Sequence, residues 1–287
     1  MTISHPKTLL SERGLTAKHH FGQNFLSDPS LCAKIAKAAA PEGTSTIVEI
    51  GAGLGALTSQ LLERAPHVIA IERDRDLVPH LNTFFAEPIE QGRLKVIEAD
   101  AKTFDYVKET RGFPTPLRLC GNLPYQLTGP LLRRTIEIAP YLSGASFLVQ
   151  LEVADRLVAK PDSEQYGALT IFLQAQFRAE RAFVIKRGAF YPQPNVDSAV
   201  VVLIPLATPV TEETPTFREL VKCAFLQRRK KLRNAWSSVA ENKEQLEMAA
   251  ERTSIDLNLR GEVLSVEQFA QMAVELTFLK NASHQTP

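Results

Sequence analysis

Cysteine is scarce in this chain: Cys32, Cys120 and Cys223 lie far apart in 287 residues and form no CxxC pair. That spacing argues against a disulfide framework and a structural zinc site, so the three read as buried thiols and no metal is expected. Apolar runs are short as well. None approaches the roughly 20 residues that a membrane-spanning helix requires, and no membrane partner is expected. Met1 to Leu15 carries scattered polar residues where a signal peptide would have its apolar core, so a cytoplasmic protein is predicted. Charge of one sign is also lacking, with 33 Lys+Arg against 32 Asp+Glu and a net charge of +1. Whole-chain basicity therefore announces no nucleic-acid partner, and any electrostatic signal is local. Arg218 to Arg233 holds one, with seven basic residues and a single acid.

What is present is a soluble-protein composition, 44% apolar and 23% charged, in a chain long enough for two domains. Asp28-Pro29 is a helix start, a capping carboxylate followed by proline at the first helical position. Strands are predicted at 46–50, 67–72, 94–98, 117–120 and 146–150, alternating with helical patterns at 56–65, 74–85 and 131–139. Such alternation predicts a mostly parallel sheet covered on both faces. Two further strands are expected at 181–185 and 198–204. A linker rich in proline and threonine, 205–215, then precedes helical patterns only, at 217–240, 244–253 and 266–279. The division predicted is a catalytic α/β domain over 1–206 and a small all-helical domain over 207–287.

Gly51-Ala-Gly53-Leu-Gly55-Ala56 follows the first predicted strand of the sheet and opens its helix. Glycines there permit a sharp turn and a close backbone approach by a ligand. The string fits GxGxxG/A, and Glu72 lies about 20 residues on, where such folds place a ribose-binding acid. Nicotinamide enzymes and adenosylmethionine enzymes both need this arrangement, so the loop says nucleoside cofactor without saying which. Two features favour adenosylmethionine. A helix and the stretch Phe21-Gly-Gln-Asn-Phe-Leu26 precede the first strand, and Asp100 closes the third, placed to accept from an adenine amino group. Taken alone, Asp100 reads more readily as a solvated loop acid or a helix cap; with Glu72 at the equivalent end of the neighbouring strand, the ligand reading overtakes it.

Gly121-Asn122-Leu123-Pro124-Tyr125 follows the fourth strand on the same side as the glycine loop. The exocyclic nitrogen of adenine is a poor nucleophile, because its lone pair is delocalised into the ring. The Asn122 oxygen and the Leu123 main-chain carbonyl are each suited to accept one amino hydrogen and favour a pyramidal nitrogen. Pro124 stiffens the turn and Tyr125 offers a stacking face, so the chemistry is positioning and electrostatics. Phe190, with Tyr191 as the alternative, is the candidate for a second face, core packing being the other reading of Phe190. Stacking contributes about 1–3 kcal/mol per base.

These motifs, with Val48-Glu-Ile-Gly-Ala-Gly53, Phe190 to Ser198 and Ala224 to Asn234, occur in order over most of the chain. Together they resemble the small-subunit (16S) ribosomal RNA adenine dimethyltransferases linked to kasugamycin sensitivity. The resemblance implies a Rossmann-like class I methyltransferase with a seven-stranded, mostly parallel sheet and a helical C-terminal domain. It implies S-adenosyl-L-methionine as cofactor. It also implies dimethylation of two adjacent adenosines near the 3′ end of 16S rRNA, in an immature small subunit; a monomer is expected. Carried over, Asn24 and Leu26 close over the cofactor, Gly51 and Gly53 approach it and Glu72 holds its ribose. Asp100 holds its adenine, and Asn122 sits between cofactor and base. Gln126-Leu127-Thr128 departs from the usual Asn-Ile-Ser, and Leu151 stands where a lysine is common.

Beside that motif, Arg228, Arg229, Lys230, Lys231 and Arg233 read as an RNA-binding surface; alone they read as a solvated helix face. Three rivals remain: a large-subunit resistance methyltransferase, a non-catalytic assembly or transcription factor, and a nicotinamide dehydrogenase. Gly22 to Leu26 and Val196-Asp-Ser-Ala199 disfavour the first and the intact Asn122–Tyr125 motif the second. The third lacks a hydride-site acid near the loop.

Overall fold

In this computed structural model, which describes residues 4–283, the chain falls into two compact units. One is Met1–Ala154 with Ala179–Pro205, the other Asp155–Arg178 with Leu206–Pro287. The outermost residues of the two expected domains, 1–3 and 284–287, lie outside the described residues. No helix among the described residues is long and apolar enough to cross a membrane.

Among the described residues nine strands are present: β1 (Phe25–Leu26), β2 (Thr46–Ile50), β3 (His67–Glu72), β4 (Leu94–Glu98), β5 (Leu117–Asn122), β6 (Leu142–Gln150), β7 (Phe177–Ile185), β8 (Phe190–Tyr191) and β9 (Ser198–Pro205), all in the first unit but for Phe177 and Arg178 at the start of β7. Seven form one sheet in the order β4-β3-β2-β5-β6-β9-β7, while β1 and β8 pair separately. β2 is parallel to β3 and β5, β5 to β6 and β3 to β4; β9 runs antiparallel to β6. All five residues of β2 are buried, as a central parallel strand covered on both faces requires. Ile47, Val68, Ala70, Cys120, Leu148 and Val200 meet Ile35 and Ala39 of the helix Pro29–Ala39, and Leu57 and Leu61 of the helix Ala56–Leu62, in one core. Asp28 caps the former, its Oδ1 accepting from Ser30 N at 2.8 Å, with Pro29 opening the helix.

After β2 the chain builds outward through β3 and β4, then returns to lay β5 on the other side of β2. That reversal leaves a crevice beyond the carboxyl ends of β2 and β5, where open α/β sheets bind ligands.

The second unit has its own core, in which Phe217, Leu220, Trp236, Phe269 and Leu276 are fully buried. Trp236 Nε1 donates to the Leu220 carbonyl at 2.9 Å. Two expectations are corrected here. Residues 155–178, read from the sequence as part of the catalytic domain, belong to this unit, because Tyr166, Ile171 and Ala175 bury in the helical core. The expected helix over 217–240 ends at Leu226, and a short helix, Leu232–Ala235, follows a turn. Leu232 N and Arg233 N donate to the carbonyls of Leu259 and Leu257 at 2.8 and 2.9 Å, so a distant segment takes hydrogen bonds that a continuous helix would have made internally.

Candidate active site

The crevice is lined by residues 20–26, the loop after β2, the ends of β3 and β4, and residues 122–127 and 131. Its floor begins with Gly51 and Gly53 at φ 75° and 59°, values that favour glycine. The Gly51 and Ala52 amides donate to the Ile71 carbonyl at 2.8 and 3.2 Å, fastening the loop to β3. Gly121 serves a second close approach: a Cβ there would lie 2.4 Å from the Ile50 carbonyl oxygen. β5 therefore sits tight against β2 just before Asn122.

Glu72, 7% exposed at the end of β3, accepts from Gly53 N on Oε2 and from Asp74 N on Oε1, both at 2.7 Å. Burial pushes its carboxyl above the ordinary carboxylate range, against the pull of those amides. Each oxygen keeps a further lone pair. Asp100 lies beyond the end of β4 with a quarter of its side chain exposed. Its Oδ1 accepts from Lys102 N at 3.0 Å, and its Oδ2 stands 3.6 Å from Arg73 Nε and 3.7 Å from Lys102 Nζ. It caps a turn and lines the crevice at once.

Asn122 closes β5. Its Nδ2 donates to the Asn24 carbonyl at 2.7 Å, and only an amide nitrogen can make that bond. Among the described residues its Oδ1 and the Leu123 carbonyl accept no protein hydrogen bond. Leu123 N donates to the Leu148 carbonyl at 3.1 Å, and Leu127 N to the Pro124 carbonyl at 2.8 Å. The motif is thereby set as a rigid turn. Tyr125 also lines the crevice, its hydroxyl 2.8 Å from Ser198 Oγ at the start of β9. Asn24 and Leu26 are there too, Leu26 paired with Phe190 in the small sheet.

That pairing corrects one expectation. Phe190 is 4% exposed and packs in the core with Leu26, Cys32 and Ile35. Neither it nor Tyr191 lines the crevice. β1 turns the Phe190 ring inward, so core packing is the reading the structure supports.

The basic residues divide. Arg228 Nε donates to Glu262 Oε2 at 2.7 Å, and its Nη2 to the Glu164 carbonyl at 2.7 Å. Arg233 pairs with Glu247. Arg229, Lys230 and Lys231 are exposed and make no ion pair among the described residues. They occupy a turn rather than a helix face. No group of three or more metal-ligating side chains is gathered among the described residues.

Sequence reasoning overlooked Lys18, Gln23, Asp74 and Ser198. Asp74 reads locally as a helix start, and only the fold brings Lys18 and Gln23 to it.

The strand order, the switch-point crevice and the carboxylates closing two neighbouring strands define a Rossmann-like class I methyltransferase. The profile of the ribosomal RNA adenine dimethylase family matches residues 14–277, and the chain belongs to that family. It is 40% identical over 256 residues to the ribosomal RNA small subunit methyltransferase A of Nitrosospira multiformis, covering 88% of this chain and 94% of that one. The protein of the same name from Aromatoleum aromaticum is 41% identical over 255 residues, covering 88% and 91%. Among solved structures, a dimethyladenosine transferase from Plasmodium falciparum shares the fold at TM-score 0.76 and 24% identity, over 90% of this chain and 98% of that one. The 23S rRNA methyltransferase ErmE gives 0.67 at 25% identity, over 88% and 100%.

Proposed function

We propose that this chain transfers methyl groups from S-adenosyl-L-methionine to the exocyclic N6 of adenosines in small-subunit ribosomal RNA. One observation carries the chemistry: the Asn122 amide is pinned through its nitrogen, and among the described residues its oxygen and the Leu123 carbonyl accept no protein hydrogen bond.

The donor fits the residues present. Glu72 offers two remaining lone pairs to vicinal ribose hydroxyls, Gly51 and Gly53 leave room for the methionine part, and Asp100 stands where the adenine ring would end. Bound there, the donor supplies an electrophilic sulfonium methyl; the substrate amine supplies the electron pair and afterwards loses one proton to water. The protein's part is orientation. In the first transfer Asn122 Oδ1 and the Leu123 carbonyl each accept one N6 hydrogen, which turns the nitrogen lone pair out of the ring system; in the second, one of them accepts the single hydrogen that remains. Tyr125, fixed through Ser198, stacks on the base and offsets part of the few kcal/mol that extruding it costs. A crevice partly closed to water strengthens both acceptor interactions.

The substrate is 16S rRNA in an immature small subunit, and the products are two adjacent dimethylated adenosines near its 3′ end. The enzyme acts as a monomer. Identities of about 40% to small-subunit methyltransferases along nearly their whole length support this choice over large-subunit RNA, to which the 23S rRNA methyltransferase ErmE owes its name. Arg229, Lys230 and Lys231 are the phosphate-binding residues proposed, with Arg228 and Arg233 holding their turn in shape.

Labelled donor incubated with immature small and large subunits tests the reading. Label in N6,N6-dimethyladenosine of the small-subunit RNA is expected. Label confined to large subunits, or no transfer to either, contradicts it.

A further inference from the structure

The segment from Lys18 to Leu26 has little regular structure: a three-residue turn, His19–Phe21, and the two residues of β1. Side chains set its position. Asp74, 2% exposed in the turn after β3, accepts from Lys18 Nζ on Oδ1 at 2.5 Å and from Gln23 Nε2 on Oδ2 at 2.8 Å. Gln23 Oε1 in turn accepts from Lys18 N at 2.8 Å, which closes a ring of three bonds. Lys18 Nζ also donates to Asp76 Oδ2 at 2.6 Å.

Both ends of this ring reach the proposed chemistry. Asp74 N donates to Glu72 Oε1. In the other direction, a Cβ on Gly22 would lie 3.4 Å from Pro124 Cβ, so the strap rests on the Asn122–Tyr125 turn. Two residues on, the Asn24 carbonyl takes the Asn122 amide hydrogen. Burial opposes ionisation of Asp74, yet the bonds from Lys18 and Gln23 outweigh it and hold its carboxyl below the ordinary range. The Asp74 bond raises Lys18 correspondingly.

We propose that Asp74, Lys18 and Gln23 are positioning residues, a latch that seats the strap so that the Asn24 carbonyl fixes the Asn122 amide with its oxygen free. None of the three touches the reacting atoms. Their effect passes through residues 22–24, and it rests on the reading of Asn122 given above. An amide free to rotate would present Nδ2 as often as Oδ1 to the base, and a donor there repels the amino hydrogens.

Lys18→Met, Lys18→Arg and Asp74→Asn test the latch, with hydrogen exchange over residues 18–26, S-adenosylhomocysteine binding by calorimetry, and methyl transfer as readouts. Lys18 is partly exposed, so its variants keep the fold. Lys18→Met and Asp74→Asn are expected to speed exchange in 18–26 alone and to lower kcat between about ten- and a hundredfold, the cost of a small misplacement. KM for the RNA stays within about twofold, since ground-state binding is untouched. Lys18→Arg, which keeps the cation, restores most of the rate. Wild-type exchange and kcat in both Lys18→Met and Asp74→Asn would overturn the proposal. So would faster exchange throughout the first unit, or an arginine variant as impaired as the methionine one. If the unaltered protein methylates no small-subunit RNA, the functional reading fails instead, and the exchange and calorimetry arms still report on the latch.

Discussion

At Asn122 one hydrogen bond decides what the other half of the side chain is free to do. The bond to Asn24 engages the nitrogen, so the oxygen is the atom offered to substrate. Asn122→Ala removes that acceptor. The expected loss in kcat is about a hundred- to a thousandfold, the scale on which a preorganised hydrogen-bonding group contributes; initial rates with immature small subunits measure it. Tyr125→Ala loses the stacking face and about 1–3 kcal/mol, or roughly five- to 150-fold in kcat/KM. Tyr125→Phe keeps the ring and gives up only the Ser198 bond, so its loss is the smaller of the two. Equal losses would show the hydroxyl, not the ring, to be what matters.

Glu49 makes a separate prediction about pH. It is fully buried beneath the crevice and accepts from Thr58 Oγ1 at 2.6 Å. Burial pushes its carboxyl from 4.5 up to about 8; Thr58 opposes the shift and nearby Glu72 adds to it. The folded protein therefore keeps a proton that the unfolded chain has released. Stability from this site falls as pH rises from 4.5 to about 8 and is level beyond. Glu49→Gln should remove that slope in urea titrations run across the window. An unchanged slope would mean that Glu49 is ionised in the fold.

Among elements, the strands of the main sheet were the most legible, because short apolar runs bounded by turn residues leave little choice. The glycine loop and the Asn122–Tyr125 turn were readable for the same reason: their geometry is demanded locally. β1 and β8 were not. Two residues each carry no periodicity, and the pairing Leu26–Phe190 joins segments distant in sequence. That is why Phe190 read from the sequence as a stacking face first, with core packing as the other reading. The latch escaped notice on similar grounds, since Lys18 and Asp74 are 56 residues apart. Phe190→Ala should cost about 3–5 kcal/mol of stability, as removal of a buried phenylalanine does, while folded molecules keep near-normal turnover. Lost turnover at full stability would return Phe190 to the crevice.

At the scale of the whole molecule, the near-zero net charge hides a local basic turn, and the fold sorts its members. Arg228 and Arg233 face acids, in exposed pairs of the kind that contribute about 0–1 kcal/mol each. Replacing Arg229, Lys230 and Lys231 by alanine should flatten the dependence of log K on log salt. The slope changes by about 0.7 for each single-stranded phosphate the protein no longer neutralises. An unchanged slope in RNA-binding titrations would remove this turn from the interface. The domain boundary was the least legible large feature, because the apolar stripe of residues 166–175 does not state which core it enters.

The central claim is that Asn122 and Leu123 grip the adenine amino group. The most direct test is the structure of the protein with S-adenosylhomocysteine and an adenosine-bearing RNA, and the measurement is the distance from Asn122 Oδ1 to N6. The account predicts about 3 Å, with the Leu123 carbonyl at similar range of the same nitrogen. Asn122 Nδ2 turned toward the base, or N6 lying beyond reach of both oxygens, would contradict it.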